Sequence, residues 1–252
     1  MPPDRPVTIV TGATSGIGAA IAKLLGQKGH AVVIVGRSRQ AGTALEDQMR
    51  TAGGSALFLA EDLSDRSAPE RIVTAALNFG GRIDALVNNA GLLRNGAAPG
   101  TSDSDWDAVL DLNLSAAFRL SRAVLPPMQA QCRGSILNVA SDWALMGARG
   151  ALAYAVSKAA LAQMSRCMAL DHAQEGIRVN ALCPTDTDTP MLDLAYSDGD
   201  RASKIARLAT TIPMGRVARV EEVAAVAAFL LSDEAGFITG ALIPVDGGTS
   251  AQ

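Results

Sequence analysis

Histidine is nearly absent from this chain. Its two copies, His30 and His172, lie near neither a candidate nucleophile nor a second metal ligand. Three cysteines, Cys132, Cys167 and Cys183, are spaced for neither a metal cluster nor a disulfide framework, so no metal site is expected and the thiols read as buried small hydrophobes. Aromatic residues make up only 4% of the chain, which leaves the core to aliphatic residues and alanine. No stretch approaches the roughly 20 apolar residues that a membrane-spanning helix needs. The opening MPPDRPVTIV has no apolar run of signal-peptide length, and a cytoplasmic protein is expected. Basic blocks and interleaved aromatic platforms are also missing. With a formal charge of -3, the chain lacks the electrostatic footprint of a nucleic-acid binder.

What remains is an apolar, glycine-rich chain. Of its 252 residues, 48% are hydrophobic and 19% charged, the balance of a compact soluble protein, and 24 glycines suit many tight strand-to-helix turns. The length is ordinary for one α/β domain, and without repeat, linker or low-complexity tract residues 1–252 read as a single domain. About seven short apolar runs read as strands: PVTIV, AVVIV, SALFLA, IDALVN, GSILNVA, IRVNALC and ALIPV. Continuous apolar runs, rather than strict alternation, mark parallel strands covered on both faces by helices, and the segments between them are long enough for right-handed crossovers. The fold class is therefore α/β, a doubly wound parallel sheet. Long helical patterns run from about Ser104 to Ala130 and from about Ala151 to Gln174.

In such a sheet the ligand crevice lies beyond the carboxyl ends of the strands, and polar or glycine clusters follow four of the runs: TGATSGIG, GRSRQ, NNAG and SDW. The first, with Gly12, Gly16 and Gly18, sits after a strand and opens a helix. Glycines there let backbone N–H groups and the helix N-terminus approach a pyrophosphate. After the second strand a dinucleotide fold would place a carboxylate against the ribose 2′-hydroxyl, but here Gly36 stands in that place, followed by Arg37. A carboxylate would repel a 2′-phosphate and an arginine can bond to it, so NADP(H) is expected ahead of NAD(H).

ALAYAVSK, residues 151 to 158, sets Tyr154 and Lys158 four apart on one helical face. Taken with TGATSGIG, NNAG at Asn88 to Gly91, Asn113 in DLNLSAAF, Ser141 in ILNVASDW, IRVNALCP and PVDGG, it makes the sequence resemble the short-chain dehydrogenase/reductase superfamily over nearly its whole length, including members that act as 3-oxoacyl reductases and as alcohol dehydrogenases. The resemblance implies a Rossmann domain with Tyr154 as general acid or base and Ser141 as donor to the substrate oxygen. It also implies Lys158 on the nicotinamide ribose, favouring the tyrosinate, and Asn113 supporting a proton relay. The cofactor would be held by Gly12, Thr14, Ser15, Gly16, Ile17, Gly18 and Arg37, by Asp62 and Leu63 near the adenine, and by Asn89, Ala90 and Gly91. Tyr154, Lys158, Pro184, Thr187 and Thr189 would complete the set, while Asn88 would brace the sheet.

Family members commonly carry Pro-Gly after the sixth strand, where this chain has Pro184 and Thr185, and a residue with a Cβ leaves that backbone less free. The implied activity is hydride transfer between NADP(H) and an alcohol or carbonyl substrate, in a homotetramer packed partly through the Tyr154 helix and the long helix before it. Two other readings stay open. One is a catalytically silent dinucleotide-binding scaffold; the other is a 3-oxoacyl-thioester reductase, for which the basic residues of RASKIARLATTIPMGRVAR would meet an acidic carrier. The substrate loop, about residues 185–213, contains Asp186, Asp188, Asp193 and Asp198, an acidity that suits a polar or hydroxylated substrate better than an anionic one.

Overall fold

Successive side chains of a strand point to opposite faces, and here both faces are covered. Ile9 and Val33 pack into one core layer with Leu86 and Val179, while Val10, Val32, Ile34, Val87 and Leu182 fill the layer on the other side. That double burial is why the strands read as unbroken apolar runs. The protein is described from a computed structural model, which covers residues 5–196 and 199–251.

Seven strands form one parallel sheet in the order β3-β2-β1-β4-β5-β6-β7. They are β1 (Val7–Thr11), β2 (Ala31–Gly36), β3 (Ser55–Ala60), β4 (Ala85–Asn88), β5 (Gly134–Val139), β6 (Ile177–Pro184) and β7 (Leu242–Val245). The helices are α1 (Gly16–Gln27), α2 (Arg39–Thr51), α3 (Ala68–Gly80), α4 (Asp103–Leu110), α5 (Ala116–Ala130), α6 (Leu152–His172), α7 (Met191–Ala195), α8 (Arg201–Ala209) and α9 (Val220–Leu231). Helices α1, α2 and α9 cover one face through Ile21, Leu25, Leu45 and Ala227, and α3, α5 and α6 cover the other through Ile72, Leu120, Met128 and Ala169. The doubly wound α/β fold read from the sequence is the fold observed. Among the described residues no helix is long and apolar enough to cross a membrane.

Two boundaries differ from the sequence reading in ways that matter. The helical pattern expected from Ser104 to Ala130 is broken by a turn of π-helix over Asp111–Ser115, which sets Asn113 between α4 and α5. The segment read as a loop over residues 185–213 contains α7 and α8 instead. These helices are short, of 5 and 9 residues, and Leu192, Leu208, Ile212 and Val217 close into a small core of their own.

A buried polar chain links both layers of elements. The Asn88 amide donates to Ser121 Oγ at 3.0 Å and to Asn138 Oδ1 at 2.8 Å, and the Asn138 amide donates to Ser165 Oγ at 2.8 Å. It joins β4 and β5 to α5 and α6, in keeping with the bracing expected of Asn88. Removing one member strands its partners, at about 1–3 kcal/mol for each buried group left unsatisfied. Asn138→Leu is expected to lower the unfolding free energy by that order, read as a lower urea midpoint at an unchanged m-value.

Candidate active site

The strand order reverses between β1 and β4, and there the chain opens a crevice. Thr11 at the end of β1 holds its lips in place. Its Oγ1 accepts from the N–H groups of Asn89 and Ala90 at 3.0 and 3.1 Å and donates to the Val87 carbonyl at 3.3 Å. The Asn89 amide returns two bonds, to the carbonyls of Thr11 and Gly12. The glycine turn is pressed against this seam. Gly12 and Gly16 have φ of 61° and 53°, and a Cβ on Gly12 would stand 2.8 Å from Ala90 Cα. Ser15 caps α1 in an extended conformation without a side-chain cap bond, leaving the first amides of the helix open to an anion.

A cleft of about 410 Å³ runs from this turn across the sheet ends. Every residue expected to hold the cofactor lines it except Gly18. Gly18 is buried behind the turn, where a Cβ would collide with the Asn89 side chain and the Gly12 carbonyl, so it permits close packing without facing the cleft. Arg37 is exposed at one end and makes no hydrogen bond among the described residues. Asp62 beside it accepts from Ser64 N and Oγ, which hold its carboxyl below the usual range, with the Arg37 charge adding to the effect. At Gly36 a Cβ would meet the Thr14 methyl at 2.7 Å, so the Thr14 side chain crowds the site where a ribose-binding acid would branch off.

At the other end α6 brings Tyr154 and Lys158 together, one turn apart and both buried. Lys158 Nζ donates to the Val139 carbonyl at 2.7 Å and lies 5.6 Å from the centre of the Tyr154 ring. Burial pushes the ammonium down to about 8. Burial also drives the Tyr154 phenol well above its ordinary value, helped by the charges of Asp142 and Asp186 and opposed by the Ser141 hydroxyl. Ser141 Oγ accepts from Trp143 N and donates to Asp142 Oδ1, and the Trp143 ring meets Tyr154 edge-on at 5.7 Å. Asn113 does not line the cleft. Its Oδ1 accepts from Leu92 N at 2.7 Å, and its amide donates to the Leu92 carbonyl and to Ser157 Oγ, each at 2.9 Å. The π-turn aims the residue at that wall; such bulges recur at functional sites.

Thr185 explains its own departure from the family pattern. Among described non-glycine residues only Cys132 has a positive φ, so Thr185 takes no conformation that demands glycine. Its hydroxyl is directed instead at Asp142, a buried carboxyl that burial raises and that the Thr185, Ser141 and Trp143 hydrogen bonds pull down. Thr187 and Thr189 still line the cleft, with the Thr189 methyl 3.1 Å from where a Gly16 Cβ would lie. Sequence reasoning missed Asp142 and Trp143 as wall residues; their one signal was their place after the fifth apolar run. The acids of the loop diverge. Asp186 lines the cleft, Asp188 and Asp193 are paired with Arg201 outside it, and Asp198 falls outside the described residues.

Known proteins resemble this chain in sequence and fold. Residues 12–250 match the family model described as enoyl-(acyl carrier protein) reductase. The chain is 40% identical over 244 residues to the short-chain reductase protein NovJ of Streptomyces niveus, covering 96% of this chain and 93% of that protein. It is 37% identical over 242 residues to the 3-oxoacyl-(acyl-carrier-protein) reductase FabG of Thermotoga maritima, covering 96% of each. The crystal structure of an actinorhodin polyketide ketoreductase variant with NADPH superimposes with a TM-score of 0.95 at 33% identity over 99% of both chains. The chain belongs to the short-chain dehydrogenase/reductase family. It is accordingly an NAD(P)-dependent oxidoreductase acting on CH–OH or C=O groups.

The buried lysine leaves a mark on stability. An unfolded chain holds the Lys158 proton up to the ordinary value of 10.5, whereas the fold releases it near 8, so the unfolded state binds more protons in between and stability rises with pH. Cys183, pushed up from 9.0 to about 11, opposes this above pH 9, and Tyr154 opposes it above about 10. Denaturant titrations between pH 8 and 9 are expected to show stability rising for the wild type and, with only the Cys183 shift left, falling slightly for Lys158→Met.

Proposed function

We propose that the protein interconverts an alcohol and a ketone or aldehyde with NADP(H), with Tyr154 as the general acid or base. The observation that carries this reading is one cleft lined at one end by the glycine turn and at the other by Ser141, Tyr154 and Lys158. The cleft suits a dinucleotide: its turn tolerates no Cβ at Gly12, and the first amides of α1 are uncapped. When bound, the cofactor supplies or accepts the hydride.

The chain's own residues manage the proton. A phenol raised by burial stays protonated at neutral pH and serves as donor to a substrate oxygen as that oxygen gains charge. Lys158, with its ammonium near the ring, stabilises the phenolate left behind. Ser141 holds the substrate oxygen beside Tyr154. Asn113 acts as a positioning residue, since its bonds to Leu92 and Ser157 fix the wall behind Lys158, where the family resemblance puts a proton relay.

The NADP(H) preference rests on Arg37, exposed, free of hydrogen bonds among the described residues and next to Gly36 in place of an acid. The likeness to a 3-oxoacyl-(acyl-carrier-protein) reductase favours a second reading, thioester reduction. The basic residues of α8 give it little support. Arg201 pairs with Asp188 and Asp193, Lys204 with Asp193, and Arg207 stacks on Tyr196 at 5.9 Å, so these charges tie down their own segment. A homotetramer joined partly through α5 and α6 belongs to the same proposal, supported by the exposed Phe118 and Val156 on those helices. Only Cys183 is buried, whereas Cys132 and Cys167 are exposed rather than the buried small hydrophobes expected, and unpaired surface thiols support a cytoplasmic setting.

Tyr154→Phe is expected to lower turnover by about 10²- to 10⁴-fold while NADPH binding persists. Arg37→Ala, in parallel titrations, is expected to weaken NADPH and leave NADH unchanged. Near-normal turnover in the first variant, or an unchanged cofactor ratio in the second, would count against the reading. Gly36→Asp is a poorer probe, because its Cβ would press on Thr14.

A further inference from the structure

The charges along the cleft are segregated. Arg37 and Lys158 are the only cations among its described lining residues, the first at the adenosine end and the second bonded to the Val139 carbonyl. Beyond Tyr154 the wall carries two carboxyl groups, Asp142 and Asp186, and no base. Asp142 is 3% exposed and fully engaged, with Ser141 Oγ, Trp143 N and the Thr185 hydroxyl directed at it. Asp186 is different. Its one donor is the Tyr196 hydroxyl, 3.3 Å from both oxygens, which leaves most of a carboxylate's four lone-pair sites open toward the cleft.

Asp186 also goes without a cation among the described residues, as does Asp200, but Asp200 is occupied in capping α8 through Ser203 N and Oγ. Arg201 takes Asp188 and Asp193, and Lys204 takes Asp193, while Asp186 keeps only a phenol. A half-buried carboxyl beside another carboxyl costs stability, and such groups gather where a ligand uses them.

We propose that Asp186, backed by Asp142, reads the substrate: the cleft takes a carbonyl or alcohol bearing a hydrogen-bond donor, hydroxyl or ammonium, next to the reacting carbon, and rejects one bearing an anion there. The inference rests on the function proposed above and names its substrate class. Burial, and then the Asp142 charge, push Asp186 up to about 6, and the Tyr196 bond opposes them. The charged and titratable groups around the pair are Asp246, Tyr154, Tyr196 and the Cys183 thiol, with Arg207 stacked over the Tyr196 ring. Above pH 6 the wall is anionic and accepts donors; below it Asp186 takes a proton and the discrimination fades.

Four ketones of one frame test this: butanone, hydroxyacetone, aminoacetone and acetoacetate, which place a methyl, hydroxyl, ammonium or carboxylate group on the same carbon. With NADPH at pH 7, kcat/KM is expected to be about tenfold or more higher for hydroxyacetone, aminoacetone or both than for acetoacetate, the scale of a hydrogen bond to a charged group. A lead by hydroxyacetone alone assigns the site to neutral donors; a lead by aminoacetone alone assigns it to cations. Asp186→Asn, checked for folding by NADPH binding, should shrink that lead, as should lowering the pH of the wild type below 6. Acetoacetate turned over as well as both donor ketones, or a ranking that Asp186→Asn leaves unchanged, would overturn the inference while Tyr154-dependent turnover left the function standing. No turnover of any member would overturn both.

Discussion

The seam between Thr11 and Asn89 is the constraint on which the site depends. Parallel strands splay their loops to opposite faces where the order reverses, and without a tie the ends of β1 and β4 would be free to fray. One threonine hydroxyl accepts two backbone N–H groups and donates to a carbonyl, and one asparagine amide satisfies two more carbonyls. At about 1 kcal/mol each these bonds are individually modest. Together they fix β4 so close to the turn that only glycine fits at Gly12, and that closeness opens the first amides of α1 to the cleft. The same β4 leads into Gly91 and Leu92, against which Asn113 is bonded. The glycine-turn end and the Tyr154 end of the cleft are therefore set by one seam.

From that frame follows the electrostatics. Lys158 has exchanged water for a single carbonyl and a ring face, and its lowered affinity for a proton is the cost. Tyr154 is shifted the other way by the same burial, and the acids beyond it add to the shift. An acid reluctant to lose its proton and a base reluctant to hold one stand one helical turn apart. Opposed shifts of this kind mark groups poised to exchange charge with a substrate.

Much of this was legible in the sequence, and the limits have physical causes. The glycine turn, NNAG, Ser141, Tyr154 and Lys158 each follow a strand or occupy a helix face, so local pattern places them. Asp142 was not legible, because its meaning depends on Thr185 and Asp186, over 40 residues away in the chain and adjacent only in the fold. The π-turn at Asn113 leaves no mark in apolar spacing, since Leu112 and Ala116 fit an α-helix as well. Thr185 read as a loss of backbone freedom, whereas its backbone needed none and its hydroxyl found a carboxylate. The segment holding α7 and α8 reads as a loop because its helices are short and its small core draws on residues from Leu192 to Val217.

In the function proposed, the cleft moves a hydride to a carbonyl carbon while Tyr154 supplies the proton. NADPH carrying deuterium at the transferring position of the nicotinamide, incubated with the protein and hydroxyacetone, tests it most directly by mass spectrometry of the product. One deuterium is expected on the new carbinol carbon and none elsewhere in the product. A reduced product without that label, or a labelled product formed equally fast by Tyr154→Phe, would contradict it.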